Sequence, residues 1–322
     1  MSGADRAHSI RDRWPGRPAA ASPAEGPLLG AHMSIAGGIQ NAILAAARHR
    51  CRAVQLFSKS SNQWKARILA DEDVAAWREA IGRHPMIPFV HDSYLINLSS
   101  PDPTLRKKSR EAFVEEIRRC DLLGIPWLIF HPGVAMGARE TVGCDRVAAS
   151  LDWVADRRPD SRTGLLLETT AGQGSCLGHR FEHLARILDR ARCRERLGVC
   201  IDTAHIHAAG YDIRTEEAYR TTFEEFDRIV GIERIRAFHV NDSKRELGSR
   251  VDRHEHIGRG KIGSRAFGSL MRDPRFRDVP KILETPKEGN MDRWNLALLR
   301  RLSRNAAIAS SPERCGSAPA AN

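Results

Sequence analysis

The chain has 322 residues, 41% hydrophobic and 28% charged, with 51 basic against 40 acidic residues and a formal net charge of +11. That length is enough for one α/β barrel, which commonly uses about 250 residues. No apolar run approaches the roughly 20 residues of a membrane span, and the N-terminus lacks the apolar core of a secretory signal, so no membrane association and a cytoplasmic location are expected.

Residues 1–27 are rich in Ala, Pro, Gly, Ser and Arg without periodicity, and residues 304–322 repeat that character; both are expected to be disordered tails around a catalytic domain at 28–303. Asp5, Asp12 and Glu25 argue against a mitochondrial transit peptide. Between the tails, strands are predicted at Leu28–Met33, Ala53–Phe57, Pro88–His91, Trp127–His131, Gly164–Glu168, Leu197–Asp202, Arg236–Val240 and Lys281–Glu284. Helix-like stretches such as Ile39–His49, Leu105–Leu123 and Glu216–Val230 separate them, with apolar residues recurring at three and four positions. Near-continuous apolar strands alternating with amphipathic helices imply a parallel sheet covered on its outside, and eight repeats close it into a (β/α)8 TIM barrel. An open doubly wound sheet is the alternative, but it binds ligands at one switch-point crevice. Here polar residues end most of the strands.

Six of those segments break off in His91, His131, Glu168, Asp202, His239 and Glu284. In a barrel the C-terminal strand ends converge on one face, so scattered nitrogen and carboxylate groups become one metal-binding cluster at that face. Each residue has a plainer reading. A lone His such as His131 is more often hydrogen-bonded than metal-bound, and Asp202 can simply cap the helix that follows it. Glu168, after Gly-Leu-Leu-Leu, and Glu284, after Lys-Ile-Leu, are more demanding, because a buried carboxylate has to be paired, protonated or metal-bound. Asp202 and His205 offer an anion and an imidazole three residues apart. Asp252 and His254 lie two apart in a polar loop, so in extended geometry both face one side while Arg253 faces the other. With His205 they would make a three-ligand site with an open position. A solvated charged loop is the competing reading, and His256 competes for the part given to His254.

Seven cysteines, at 51, 120, 144, 176, 193, 200 and 315, are odd in number and form no CxxC pair, so they read as reduced and mostly structural. The basic excess suggests a polyanionic partner, since neutralised phosphates release counterions.

The segments Gly30-Ala-His-Met-Ser, Val90-His-Asp-Ser-Tyr-Leu-Ile-Asn-Leu, Phe130-His-Pro-Gly, Glu168-Thr-Thr-Ala-Gly-Gln-Gly, Cys200-Ile-Asp-Thr-Ala-His, Phe238-His-Val-Asn-Asp-Ser-Lys, Ser249-Arg-Val-Asp-Arg-His and Leu283-Glu-Thr occur in order. From about Leu29 to Leu302 the chain resembles the endonuclease IV family of apurinic/apyrimidinic-site endonucleases. The resemblance implies three zinc ions per chain: one on His91, His131 and Glu168, a second on Glu168, Asp202, His239 and Glu284, a third on His205, Asp252 and His254. It implies a monomer acting on double-stranded DNA, hydrolysing the phosphodiester 5′ to an abasic site to leave a 3′-hydroxyl and a 5′-deoxyribose phosphate, with Glu168 or Glu284 as the catalytic carboxylate. It also implies that Tyr94 and Leu95, with the loop Ser58–Trp64, enter the bent DNA; Tyr94 can equally be a packing residue of the rim. Two positions depart from the family pattern. Asn62, beside Gln63, stands where an arginine commonly enters the base stack, which leaves the wedge weaker or passes it to Lys59. Arg259 stands where an acidic residue is common. A sugar isomerase or epimerase of similar barrel design would need only Glu168, Asp202, His239 and Glu284, with no use for His91, His131 or the Asp252-His254 clasp. A non-catalytic DNA-damage binder would not need intact ligands.

Overall fold

The computed structural model describes residues 26–304. The tails expected at 1–27 and 304–322, with Cys315, therefore lie outside the described residues except at 26, 27 and 304.

Ten strands are formed among the described residues. Eight are long-range neighbours in one sheet: β1 (Leu29–His32), β2 (Ala53–Phe57), β3 (Ile87–His91), β4 (Trp127–Phe130), β5 (Gly164–Glu168), β6 (Leu197–Asp202), β7 (Ile235–His239) and β10 (Lys281–Leu283). They are parallel and close into a barrel in the order β1, β10, β7, β6, β5, β4, β3, β2. The other two, β8 (Asp242–Ser243) and β9 (His254–Glu255), are short and form an antiparallel hairpin after β7. Between and after the barrel strands run α1 (Asn41–Arg48), α2 (Asp71–Arg83), α3 (Pro103–Leu123), α4 (Glu140–Ala155), α5 (Phe181–Arg190), α6 (Thr203–Ala209), α7 (Glu216–Ile229), α8 (Ser264–Arg272) and α9 (Met291–Arg304). His131 and Glu284 lie one residue beyond their strands. The six cysteines among the described residues are free. No helix among these residues is long and apolar enough to cross a membrane.

Alternation along each strand decides what faces the axis. Ala53, Phe89, Trp127, Ile129, Leu166, Cys200, Ala237 and Ile282 pack as one buried cluster inside the barrel, while Val54, Val90, Leu128, Leu167, Val199 and Leu283 join the larger core under the helices. Side chains two residues apart point the same way. Counting two on from the inner set gives Gln55, His91, His131, Glu168, Asp202, His239 and Glu284. The apolar residue before each polar one thus places it over the barrel floor, at the C-terminal end.

Local signals fix the helices that brace this floor. Asp102 accepts the Thr104 N–H at 2.8 Å ahead of Pro103, and Gly124 ends α3 at φ 68°, the left-handed cap that glycine adopts without strain. Trp77 on α2 donates its indole N–H to the Leu123 carbonyl at 2.8 Å, locking α2 to the end of α3.

Closure depends on Gly30, which pairs with Ala53 across the β1–β2 seam. A Cβ there would overlap the Ala53 carbonyl backbone, which has no room to move. Gly30→Ala is expected to cost about 3 kcal/mol and lower the melting temperature by about 6 °C or more in thermal denaturation.

Candidate metal centre

Glu168 lies at the centre, fully buried at the end of β5. One carboxylate oxygen faces His91 Nε2 at 2.9 Å and His131 Nε2 at 3.2 Å, and the other faces His239 Nδ1 at 2.9 Å and His205 Nδ1 at 3.3 Å. Glu284 approaches the same His239 nitrogen at 3.2 Å. Asp202 divides its work: Oδ1 accepts the Ala204 and His205 N–H groups at 2.7 and 2.9 Å, capping α6, and Oδ2 accepts from Asn241 Nδ2 at 2.7 Å. Cap and candidate ligand are thus one residue.

The hairpin returns the loop residues to the cluster. His205 Nε2 faces Asp252 at 3.1 Å, and His254 Nε2 faces Asp252 at 3.2 Å and Asp202 at 3.6 Å. His256 is buried with Nδ1 near the Asn295 amide at 3.2 Å, so it does not compete with His254. Ligand atoms converge in three groups: His91, His131 and Glu168; Glu168, Asp202, His239 and Glu284; and Asp202, His205 and His254. Asp202 therefore stands between the second and third sets rather than within one. A tetrahedral ion with bonds of about 2.1 Å separates its ligands by roughly 3.4 Å, close to the spacings here.

The imidazole tautomers test the fit to a metal. His91 Nδ1 faces the Asp92 carbonyl at 3.0 Å, His205 Nδ1 the Thr169 carbonyl at 2.8 Å, His254 Nδ1 the Glu284 carbonyl at 3.1 Å, and His239 Nε2 the Gln55 amide oxygen at 2.7 Å. These partners only accept, so each of those nitrogens carries a proton, and the other nitrogen of each ring faces carboxylates. Facing carboxylates, that nitrogen needs a cation: a second proton, as in an imidazolium, or a divalent ion that takes its lone pair and the carboxylate oxygens together. His254 Nε2, buried and without a hydrogen-bond partner, shows the demand most plainly. Burial opposes protonation of His91, but the hydrogen bond to Glu168 together with the charges of Glu168, Asp92 and Glu284 outweighs it and raises the imidazole to about 10. At His254 burial is overcome by the Asp202 and Asp252 carboxylates, which carry it to about 9. Burial pushes Glu168 and Glu284 up, yet the positive neighbours, His239 foremost, draw both well below the usual carboxylate range.

The same test separates a second group, Glu140, His179 and His183, at the N-termini of α4 and α5. There the Gly178 N–H donates to His183 Nδ1, so the proton is on Nε2, which donates to Glu140 at 3.1 Å. That pair is complete without a cation. A cavity of about 1230 Å³ opens at the opposite end of the barrel among Trp77, Pro88, Arg158 and Gly164; it is large but holds none of the clustered residues.

Around the cluster, Tyr94 is well exposed, with its ring edge-on to Phe57 at 5.4 Å; Leu95 is half-buried and Asn62 and Gln63 are exposed. Lys59 cannot take over as a wedge. It is buried, with Nζ 3.1 Å from Glu116 and donating to the Gln63 carbonyl at 3.0 Å, so it braces the loop from below. Arg259 is exposed and stacks over Trp294 at 4.7 Å.

A family model described as a xylose isomerase-like TIM barrel matches residues 43–305. A probable endonuclease 4 of Chloroflexus aurantiacus is 50% identical over 285 residues, covering 87% of this chain and 99% of the relative. One from Geobacter sulfurreducens is 48% identical over 294 residues, covering 90% and 99%. The crystal structure of endonuclease IV from Thermus thermophilus superposes with a TM-score of 0.77 at 37% identity, covering 86% of this chain and 98% of that one. The chain belongs to the endonuclease IV family. A D-tagatose 3-epimerase-like protein, 19% identical with a TM-score of 0.67 and covering 85% of this chain and 96% of its own, shares the barrel alone.

Sequence reasoning about this endonuclease IV family member missed the residues that hold the cluster. Gln55, fully buried on β2, accepts from His239 and donates to Glu284 and, at 2.9 Å, to His32 Nδ1. Asn241 binds Asp202 and accepts the Glu284 N–H at 2.8 Å, and Thr169 Oγ1 accepts the Asp202 N–H at 2.9 Å. The one available signal was a glutamine inside the apolar run Ala-Val-Gln-Leu-Phe. Gln55→Leu is expected to leave the barrel folded by circular dichroism and to weaken metal affinity roughly 10–100-fold in chelator competition.

Proposed function

We propose that this protein hydrolyses the phosphodiester bond 5′ to an abasic site in double-stranded DNA, leaving a 3′-hydroxyl and a 5′-deoxyribose phosphate, with three zinc ions per chain. The observation that carries the reading is the single buried carboxylate of Glu168 meeting four imidazoles, with Asp202 shared toward a third group of ligands. His91, His131 and Glu168 would hold one ion, Glu168, Asp202, His239 and Glu284 a second, and His205, Asp252 and His254 a third. Zinc bound there supplies Lewis acidity toward a phosphate and lowers the pKa of a water toward about 7.

The protein's own groups do the positioning. Glu284 is held by Gln55 and, through its backbone N–H, by Asn241, while part of its side chain reaches the open mouth. Its depressed pKa keeps it an acceptor, suited to orient the attacking water and draw on its proton. As water adds to phosphorus, the bond to the 3′-oxygen breaks and that oxygen leaves with a proton as the hydroxyl. Asp252 and His254, the more exposed residues of the third set, are assigned to the side of the departing oxygen. Tyr94 and Leu95, with Asn62 and Gln63, are assigned to the DNA contact, and the net charge of +11 supplies affinity without selectivity. On this reading the protein acts as a monomer in the cytoplasm, with the folded barrel at 28–303 as its catalytic domain. A sugar epimerase would leave His91, His131, Asp252 and His254 without a purpose.

Glu284→Gln keeps the shape and removes the charge, so nicking of an abasic duplex is expected to fall by orders of magnitude while binding in an anisotropy titration largely survives. Near-normal turnover would remove Glu284 from the site. Separately, replacing Asp252 and His254 together with Ala is expected to remove one metal per chain by elemental analysis without lowering the helical circular dichroism signal. An unchanged metal count would refute the third set.

A further inference from the structure

Large apolar side chains exposed among the described residues are Ile68, Tyr94, Leu122, Met136 and Trp294. Leu122 and Trp294 lie on the outer helices α3 and α9, whereas Ile68, Tyr94 and Met136 lie in the loops that follow the C-terminal ends of β2, β3 and β4, on the face that carries the cluster. Met136, 51% exposed, is the one among them with a strained backbone. Its φ is 49°, that of Gly137 is 82°, and the Ala138 N–H donates to the Ala135 carbonyl at 3.0 Å. Positive φ at both central positions is the pattern of a type I′ turn, where Asn-Gly or Gly-Gly is favoured and a long apolar residue is not. Neither burial nor turn geometry accounts for methionine here.

The side chain is nevertheless held in place. Asn97 Nδ2 donates to Met136 Sδ at 3.5 Å and to the Val134 carbonyl at 3.0 Å, and Asn97 Oδ1 accepts the Val134 N–H at 3.0 Å. The Met136 N–H donates to Ser175 Oγ at 3.2 Å. Asn97 is three residues beyond Tyr94, so the loops after β3 and β4 are tied into one unit whose exposed apolar tips are Tyr94 and Met136.

We propose that Met136 is a second wedge, entering the DNA base stack at the abasic site beside Tyr94. The inference rests on the abasic-site reading above. Apolar wedges unstack base steps and kink the duplex, and a thioether packs well against aromatic faces. Entry is easiest where a base is already missing, so the residue acts on discrimination and not on hydrolysis.

Met136→Asn creates the Asn-Gly pair that the turn favours, and Met136→Leu keeps an apolar tip. M136N is expected to melt about 2 °C higher, to keep its metal content, and to lose roughly tenfold in the ratio of intact-duplex to abasic-duplex Kd. The fluorescence rise of a 2-aminopurine placed beside the abasic site should also be lost on M136N binding. M136L should retain both the ratio and the fluorescence rise. Wild-type discrimination and fluorescence in M136N would overturn the wedge. The two readings fail separately: a wild-type protein that nicks no abasic duplex refutes the abasic-site reading, while the 2-aminopurine comparison still decides the role of Met136.

Discussion

The Glu168 carboxylate is fully buried, and the side chains gathered from around the barrel answer that burial. An ionised carboxylate at the floor of an apolar barrel is costly unless positive charge and hydrogen-bond donors surround it. Four imidazoles from four different segments meet its two oxygens, and further carboxylates from Asp202, Glu284 and Asp252 lie behind those imidazoles. So many anions around one point require cations. Because one nitrogen of each of His91, His205, His239 and His254 is committed to an oxygen acceptor, the other, Nε2 in His91, His205 and His254 and Nδ1 in His239, is the one that could take a cation.

Buried polar side chains brace the cluster in successive layers. Gln55, Asn241 and Thr169 are buried on or next to strands and hold the cluster from beneath. One layer out, the Asp242 carboxylate accepts the backbone N–H groups of Gly258, Gly260, Ile262 and Gly263, so a buried side chain replaces regular structure in shaping the loop beyond the β8–β9 hairpin. The loop after β2 is braced similarly by Lys59, Glu116, Ser58 and Arg119, all buried. At the rim are the exposed tips, Tyr94 and Met136, where apolar surface contributes least to folding and is free to contact DNA.

How much of this was legible in the sequence follows from periodicity. Strand positions read correctly because each apolar run is bounded by polar residues, and the polar residue ending a run falls on the inner face by alternation. That reasoning reaches His91, Glu168, Asp202, His239 and Glu284 without coordinates. It does not reach Gln55, whose partners are up to 229 residues away in the chain, nor does it reveal that Lys59 points into a buried ion pair and not toward DNA, since a lysine in a polar loop carries no mark of its orientation.

Strand and helix alternation, the closed barrel and the identity of most of the clustered side chains are readable from the sequence, because they depend on local hydrophobic period and on which face a strand presents. Not readable there are which nitrogen of His91, His205, His239 and His254 is committed to an acceptor, that Asp202 lies between two ligand sets, that His254 and not His256 turns toward the cluster, and that Met136 is held strained at the rim. Those outcomes depend on hydrogen-bond partners brought together from distant segments, and closing the barrel is what brings them within reach.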